Sequence, residues 1–276
     1  MNWREISYEW PLIIGHRGAS ASAPENTIVA FKFATNEGAH GLEFDVRLAS
    51  DGVPVVIHDA TLDRTVMTPG AVERHPSTAL SRMCAGNWFN LSHPDRARAL
   101  YEVQCIPTLP QVFQLFGSYL LYVEMKCEEP ARRLELARAV VGLVRDHGLA
   151  GSVVVKSFEH DSLREVKRLA PEIRTAALFG RSWPHPFVTA RRIIAEAEAC
   201  GADEISLHHS LLRAATVREA RRRGFEVLAW TVNSTIFLRR ALGLGLRAVF
   251  TDEPARMLNY LNDKLDGRGY APRENG

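Results

Sequence analysis

The chain has 276 residues, of which 46% are hydrophobic, 34 are basic and 32 are acidic, giving a formal net charge of +2 at pH 7. This composition excludes a disordered or fibrous chain, because it supplies enough apolar side chains for a large buried core. A charge this close to zero argues against nucleic acid or an anionic membrane as the main partner, so any anion must be bound locally.

The sequence also bears on the cellular compartment. Residues 1–10 do not combine a basic stretch with an apolar one, and no apolar run approaches the roughly 18 residues of a transmembrane helix. The four cysteines lie far apart in sequence, without the paired spacing of a zinc or redox motif. We therefore expect a cytoplasmic protein with reduced thiols and no stable membrane insertion.

Eight short apolar runs have the character of buried parallel strands. They cover residues 12–15, 42–46, 121–125, 153–155, 175–179, 204–207, 227–230 and 248–250. Intervening segments predict helices over residues 27–36, 109–116, 130–147, 160–169, 186–199, 212–222 and 234–242. Repeated strand and helix units indicate an α/β fold with a parallel sheet, and eight such strands close a TIM-type (β/α)8 barrel.

A ninth run, from Val55 to His58, follows the second strand too closely for a parallel crossover, which needs a dozen or more residues. The Asp51-Gly52 turn predicts a hairpin, so we expect this run to be antiparallel and outside the barrel count. Residues 60–106 are rich in turn signals and too long for an ordinary connection. We predict one domain over residues 1–276, with a small inserted subdomain at about 60–106, after the second strand.

Ionisable side chains occur where the predicted strands end, which is where barrel enzymes carry their active sites. Residues two apart on a strand share a face, so Glu43 should lie beside Asp45 and Glu124 beside Lys126. Three carboxylates that meet inside a barrel repel one another unless a cation neutralises them, and oxygen ligands suit Mg²⁺ or Ca²⁺. The alternative is a structural ion network in which Glu124 pairs with Lys126 and Arg17.

Two histidines lie near the same carboxylates. His16 ends the first predicted strand and His58 ends the hairpin strand. Imidazole titrates near neutral pH, so such a pair can accept one proton and donate another, although each alone is more typical of a structural residue. Their position beside three carboxylates, with Arg17 and Lys126 able to bind a phosphate, favours an acid/base pair.

An ordered series of motifs resembles the glycerophosphodiester phosphodiesterase family and extends from about Ile13 to Pro254. The motifs are HRG at 16–18, PENT at 24–27, EFDV at 43–46, SDG at 50–52, PVVIHD at 54–59, IPTL at 106–109, EMK at 124–126, SF at 157–158, WTVN at 230–233 and TD at 251–252. Any one of them would be weak evidence alone, whereas the series in this order and spacing is highly specific.

The resemblance implies a barrel enzyme that hydrolyses glycerophosphodiesters to sn-glycerol 3-phosphate and an alcohol. Its substrate would be a small molecule, and its cofactor one divalent cation, Mg²⁺ or Ca²⁺, with Mn²⁺ as a further choice. By position it implies these roles: His16 and His58 as the acid and base, Arg17 and Lys126 as phosphate contacts, Trp230 as a wall for the glycerol or alcohol group, and Glu43, Asp45 and Glu124 as metal ligands.

Two positions depart from the usual pattern of the family. Pro110-Gln111 stand where acidic residues usually follow the Pro-Thr-Leu triplet, and Arg247-Ala248 stand where Asp-Gly is usual. The second departure lies in the last strand, so it bears on barrel packing or the pocket floor and on substrate preference rather than on the chemistry.

Two other functions stay open at this stage. A lysophospholipase D or phospholipase D-like enzyme would carry more apolar surface around the mouth of the barrel. A catalytically silent barrel that only binds a ligand would lack at least one motif residue, and none is missing. Trp88 and Phe89 in the insertion are predicted to form its small core rather than a lipid anchor. Two roles stay open for the segment before the first helix: Glu25 and Asn26 support the metal ligands, or Asn26 or Thr27 caps the helix.

Overall fold

The computed structural model describes residues 11–180 and 189–264. The nine strands of the described residues form one sheet, in which eight parallel strands close into a barrel and one antiparallel strand, β3, lies outside it. The strands are β1 (Leu12–His16), β2 (Gly41–Leu48), β3 (Pro54–Val56), β4 (Leu120–Met125), β5 (Val153–Ser157), β6 (Arg174–Phe179), β7 (Glu204–His208), β8 (Glu226–Trp230) and β9 (Ala248–Thr251). Pairing of β1 with both β2 and β9 closes the barrel, which confirms the predicted TIM-type fold.

Helices connect the strands on the outside of the barrel. They are α1 (Ile28–Asn36), α2 (Ser77–Leu80), α3 (Asn87–Ser92), α4 (Ala99–Glu102), α5 (Leu109–Phe116), α6 (Pro130–Asp146), α7 (His160–Leu169), α8 (Ala190–Ala199), α9 (Ala214–Arg222), α10 (Thr235–Leu244) and α11 (Pro254–Lys264). The helix predicted over 186–199 corresponds to α8, which begins after the Thr189 cap; residues 186–188 lie outside the described part of the chain.

The hairpin prediction is confirmed. Strand β3 pairs antiparallel with the carboxyl-terminal part of β2, in the register Val46↔Val56. The amino-terminal part of β2 meanwhile pairs with β1 and β4 inside the closed barrel. Strand β2 therefore extends beyond the barrel rim and carries the hairpin at the carboxyl end, next to the predicted site.

Side-chain alternation divides each strand between two environments. On β1, Leu12 and Ile14 belong to the apolar cluster inside the barrel, whereas Ile13 packs toward the helices. The same inward positions on β4 are occupied by Leu120 and Tyr122. Inward positions at the carboxyl ends of β1 and β4 carry the ionisable residues His16 and Glu124 instead, so the strands that fill the barrel interior also place charged groups at its carboxyl end.

Residues 60–106 contain α2, α3 and α4 and pack against the hairpin and α1. Phe89 is 1% exposed and contacts the same cluster as Ala30 of α1, and Trp88 packs beside it, as predicted for an internal core. The backbones of Cys84 and Cys105 pair here in an isolated antiparallel β-bridge, and both thiols are free. This pairing could not be predicted from the sequence, because spacing along the chain says little about non-local contacts.

Candidate active site

Backbone pairing continues past the strand ends and fixes the site residues beside β2. The amide of Arg17 donates to the Glu43 carbonyl at 2.8 Å, and the amide of Lys126 donates to the Val46 carbonyl at 3.0 Å. The amide of Ile57 donates to the Asp45 carbonyl at 3.0 Å, so His58 follows directly on a segment held against β2. Site residues from three separate segments are thus aligned on one strand.

The turn after β1 has a backbone that only particular residues tolerate. Arg17 and Gly18 both have positive φ angles, 56° and 87°. A Cβ on Gly18 would lie 2.6 Å from the carbonyl carbon of Ala30, so the turn also packs too closely on α1 for any side chain. This close approach aims His16 and Arg17 at the mouth of the barrel.

The three predicted carboxylates meet. One ligand oxygen from each of Glu43, Asp45 and Glu124 lies within 4.8 Å of the others, and the residues are 0%, 1% and 5% exposed. Alternation along β2 and the parallel register of β2 with β4 produce this cluster, as the sequence predicts.

Cationic side chains contact every one of these carboxylates. Lys126 Nζ lies 2.5 Å from Glu124 Oε1 and 3.3 Å from Asp45 Oδ1, and Arg17 Nε lies 3.1 Å from Asp45 Oδ2. Burial alone would raise the pKa of Asp45, but Arg17 and Lys126 outweigh it and hold that pKa well below its usual range. The predicted Glu124–Lys126 pair is present, while Arg17 pairs with Asp45 and Glu25.

A third cation, Lys156, was missed by the sequence reasoning. It is 1% exposed, and its Nζ lies 2.9 Å from Glu43 Oε1 and 3.4 Å from Glu124 Oε2. Strand β5 pairs Lys156 with Glu124 in register, and alternation from inward-facing Val154 turns it into the barrel. Only that alternation could have revealed it, because the apolar run by which β5 was recognised ends at Val155.

Both predicted catalytic histidines pair with an aspartate through Nδ1. His16 Nδ1 lies 2.6 Å from Asp252 Oδ1, and His58 Nδ1 lies 2.6 Å from Asp59 Oδ1. An aspartate that accepts a hydrogen bond from Nδ1–H leaves Nε2 as the nitrogen that exchanges protons with substrate. The sequence reasoning assigned neither aspartate a role, although both belong to the quoted motifs.

Both histidines interact with the carboxylate cluster, His16 by a contact with Glu43 and His58 through its charge. His16 Nε2 lies 3.9 Å from Glu43 Oε2, and the charge of His58 contributes to lowering the pKa of Asp45. Burial lowers the pKa of His16, but Glu43 and the hydrogen bond to Asp252 outweigh it, so the net pKa is raised. The structure therefore brings the predicted acid/base pair and the predicted ligand set together.

Arg64, from the segment after the hairpin, links the two sides of the site. Its guanidinium donates to Asp59 Oδ2 at 2.6 Å and to both carboxylate oxygens of Glu25, at 2.7 and 2.9 Å. Glu25 in turn accepts from Arg17 at 2.9 Å. A continuous chain of charged hydrogen bonds thus runs from the partner of His58 to Arg17.

The segment before α1 contributes in two ways. Thr27 caps the helix by accepting from the Ala30 amide at 3.3 Å, as predicted for one of the two candidates. Asn26 instead donates to Asp45 Oδ2 at 2.9 Å, which supports the carboxylate cluster. On the opposite side, Asn233 and Ser20 both donate to Asp252.

Trp230 lies at the end of β8 and is partly buried. Its ring lies edge-on to Phe158, with the centroids 5.5 Å apart, and 5.0 Å from the ring of His208. Its Nε1 donates to the Ser206 carbonyl at 3.3 Å. These contacts form an aromatic wall of Phe158, His208 and Trp230 on the side of the barrel made by β5, β7 and β8.

The donor set fits a hard divalent cation. Three carboxylates with mutually close oxygens are the ligands that Mg²⁺ and Ca²⁺ prefer. Asp45 Oδ1 is buried and has no hydrogen-bond partner among the described residues, although the Lys126 ammonium lies nearby. A buried carboxylate oxygen that accepts no hydrogen bond and lies among other carboxylates is suited to bind a cation.

Comparison with known proteins agrees with this geometry. The family model for the glycerophosphoryl diester phosphodiesterase family matches residues 16–256. The chain belongs to this family. The enzyme class predicted from the resemblance, a phosphoric diester hydrolase, is thereby confirmed.

Two relatives illustrate the extent of the match. The chain is 32% identical over 255 residues to a glycerophosphodiester phosphodiesterase of Caldanaerobacter subterraneus subsp. tengcongensis, covering 90% of this chain and 96% of the relative. A phosphodiesterase of Oleispira antarctica, solved with the product sn-glycerol-3-phosphate, is 28% identical with a TM-score of 0.77, covering 92% and 97% of the two chains. Each of the two matches thus extends over nearly the whole length of this chain and of the relative.

No helix among residues 11–180 and 189–264 combines the length and apolar character that crossing a membrane requires. The cytoplasmic location stays a prediction.

Proposed function

We propose that this family member hydrolyses glycerophosphodiesters to sn-glycerol 3-phosphate and an alcohol, with one divalent cation and His16 and His58 as the acid/base pair. The observation that carries the proposal is the arrangement of two aspartate-paired histidines around a buried cluster of three carboxylates. The Oleispira relative, solved with sn-glycerol-3-phosphate, supports the same substrate class.

Glu43, Asp45 and Glu124 would hold the cation, which is Mg²⁺ or Ca²⁺ with Mn²⁺ as a further choice. When bound, such a cation supplies charge stabilisation to the phosphoryl oxygens in the transition state. Asn26 and Arg17 keep Asp45 in place, because Asn26 donates a hydrogen bond to its Oδ2 and the Arg17 guanidinium forms an ion pair with the same oxygen.

Arg17 and Lys126 bind the phosphodiester anion. Both cations already lie at the carboxylate cluster, so a phosphate placed against that cluster is within their reach. The guanidinium of Arg17 offers planar, paired donors to phosphate oxygens, and the ammonium of Lys126 offers a compact charge. Together they stabilise the negative charge that accumulates on the equatorial oxygens of five-coordinate phosphorus.

Each histidine moves one proton. One imidazole accepts the proton of the nucleophile and the other donates a proton to the leaving alkoxide, which makes the alcohol a good leaving group. Asp252 and Asp59 each hold one ring through Nδ1, so that Nε2 points away from that aspartate, and they stabilise whichever imidazolium forms.

The aromatic wall receives the organic part of the substrate. Trp230 has its ring fixed by Phe158 and by the bond to Ser206, so it offers a rigid surface for the glycerol or the alcohol group. Phe158 is 44% exposed beside it and extends this surface toward solvent.

The test is a panel of glycerophosphocholine, glycerophosphoethanolamine, glycerophosphoglycerol and lysophosphatidylcholine, assayed with and without chelator. We expect sn-glycerol 3-phosphate from the first three, loss of activity with chelator, and recovery on adding Mg²⁺ or Ca²⁺. Lysophosphatidic acid without sn-glycerol 3-phosphate would establish a lysophospholipase D instead. Binding without turnover would establish a silent barrel, and full activity in chelator would contradict the metal.

A further inference from the structure

A buried lysine below the carboxylate cluster has no part in the proton transfers or in phosphate binding. Lys156 lies inside the barrel, with its ammonium 4.3 Å from the centroid of the Phe250 ring. A charge buried this deeply is costly unless it is paired, and here it is paired with Glu43 and Glu124. Its position is therefore set by two of the residues that would hold the cation.

The contacts of Lys156 divide the oxygens of the cluster into two groups. Lys156 takes Oε1 of Glu43 and Oε2 of Glu124, while Asn26 and Arg17 take Oδ2 of Asp45. One oxygen of each glutamate is therefore held by Lys156, and one oxygen of Asp45 is held by Asn26 and Arg17. The remaining oxygens are Glu43 Oε2, which accepts from the Arg17 amide at 3.2 Å, and Glu124 Oε1 and Asp45 Oδ1, which lie 2.5 and 3.3 Å from Lys126 Nζ. Lys126 is partly exposed and can turn to a phosphate when a cation takes its place, whereas Lys156 is buried and stays against the glutamates.

We propose that Lys156 is a positioning residue that leaves one oxygen of each glutamate for the cation and so biases the site toward Mg²⁺ over Ca²⁺. The inference rests on the proposed function, since it assumes that this cluster holds a divalent cation.

The bias follows from the different demands of the two ions. Ca²⁺ takes six to eight oxygen ligands and often binds a carboxylate through both oxygens, whereas Mg²⁺ takes six in a strict octahedron and keeps several waters. An oxygen held against the buried Lys156 ammonium, at 2.9 Å for Glu43 and 3.4 Å for Glu124, is a poorer cation ligand than the other oxygen of the same carboxylate. The site then supplies few protein oxygens, which suits Mg²⁺ with water and phosphate oxygens and leaves Ca²⁺ under-coordinated.

The direct test measures Mg²⁺ and Ca²⁺ dissociation constants by calorimetry for the wild type and for Lys156→Met. Methionine fills a similar volume without donating a hydrogen bond, so both oxygens of Glu43 and Glu124 become available. Loss of the positive charge should tighten binding of both ions, but Ca²⁺ should gain at least tenfold more than Mg²⁺. Lys32→Met, on the exposed face of α1, removes an equal charge far from the cluster and should change neither constant.

Two further measurements guard against a variant that folds poorly. Lys156→Gln keeps a hydrogen-bond donor without the charge, so it should tighten binding of both ions while shifting the Ca²⁺ to Mg²⁺ ratio less than Lys156→Met. On the wild type itself, infrared difference spectra on adding Mg²⁺ should show the wide separation of carboxylate stretching bands that binding through one oxygen gives.

The outcomes separate the two proposals. If the wild type binds neither ion, the metal-dependent function and the role of Lys156 both fail. If the wild type binds and is activated by a cation, but Lys156→Met leaves the ratio of the two dissociation constants unchanged, only the role of Lys156 is overturned. Infrared bands of the wild type that indicate bidentate glutamates would overturn it as well.

Discussion

At the residue scale, Asp45 is a buried carboxylate that lies between two cationic side chains of the site. One of its oxygens is held by Asn26 and Arg17, and the other lies within 3.3 Å of Lys126 without a hydrogen bond. Its lowered pKa means that it stays ionised throughout the physiological pH range. A carboxylate that is ionised, buried and oriented is the residue from which we expect the largest share of cation binding.

Replacing Asp45 with asparagine tests this role. Asp45→Asn keeps the shape and loses the ligand charge, so affinity for Mg²⁺ and Ca²⁺ should fall by at least the roughly 10–100-fold seen when metal-site partners are removed, with the fold intact. Calorimetric titration and a thermal melt measure both properties. Asp263→Asn on exposed α11 is the control. Unchanged affinity for both ions would remove Asp45 from the ligand set.

Arg64 matters because two acidic residues of the site depend on it. Burial raises the pKa of Asp59, but the hydrogen bond from Arg64 and that from His58 outweigh burial and lower this pKa to about 2. Arg64→Ala should lower kcat for glycerophosphocholine by roughly tenfold or more, because Asp59 then holds His58 less rigidly. Arg64→Lys should recover only part of the loss, since a lysine cannot bond bidentately to Glu25. Arg82→Ala, on the surface of the same segment, should have no effect, and equal kcat values for Arg64→Ala and Arg82→Ala would refute the link.

At the element scale, local signals predicted helices well where caps are strong. Helix α5 has the bounds predicted from the sequence, because Thr108 and Gln111 form a capping box: Thr108 Oγ1 accepts from the Gln111 amide and Gln111 Oε1 accepts from the Thr108 amide. Gln111, one of the two departures from the family pattern, thus serves the helix terminus rather than the chemistry.

Removing this cap should weaken the protein without affecting catalysis. Thr108→Ala should lower the free energy of unfolding by about 1 kcal/mol, the usual cost of losing a capping side chain. Urea denaturation followed by circular dichroism measures the loss, with Thr108→Ser as the control that keeps the hydroxyl. If the alanine variant unfolds at the same urea concentration as the serine variant, the cap contributes nothing.

What the sequence could not predict depends on contacts between distant elements. Alternation on β2 and β4 predicted that Glu43, Asp45 and Glu124 meet, because a strand's face is a local property. The pairing of Arg64 with Glu25 joins residues 39 apart, and no periodicity reports such a contact. The same alternation rule applies to Lys156, but this residue follows the apolar run that identified β5. The sequence pattern therefore did not show that the strand continues to Lys156.

On the scale of the whole molecule, the barrel has a second charged layer at the end opposite the active site. Arg174 Nη2 lies 2.9 Å from Glu204 Oε1, and the charge of Arg247 acts on Glu204 and Tyr122. Arg247, the second departure from the family pattern, precedes β9 and therefore belongs to this amino-terminal layer. Its charge acts on residues of this layer, which favours the barrel-packing interpretation over the pocket floor.

Glu204 makes this layer sensitive to pH. Burial is the largest influence on its carboxyl and raises its pKa above the ordinary 4.5, so the folded state binds a proton more readily than the unfolded state. The free energy of unfolding should therefore increase as the pH falls through the raised pKa toward 4.5. Glu204→Gln lacks this step, so wild-type stability should rise relative to the variant over that window. Urea denaturation at a series of pH values tests this, and parallel pH profiles would contradict it.

The central claim, that His16 and His58 transfer the two protons, is tested most directly by the turnover of their alanine variants on two substrates. On glycerophosphocholine each single variant should lose roughly 10²–10⁴-fold in kcat, and the double variant should lose little more, because one step needs both groups. His147→Ala, at the end of α6, should keep the wild-type rate.

The second substrate is a glycerophosphodiester with p-nitrophenol as its leaving group, which hardly needs protonation. We predict that one histidine variant recovers on this substrate and the other does not, which identifies the acid and the base. Near wild-type rates for both variants on glycerophosphocholine, or the absence of selective recovery, would contradict the two-histidine mechanism.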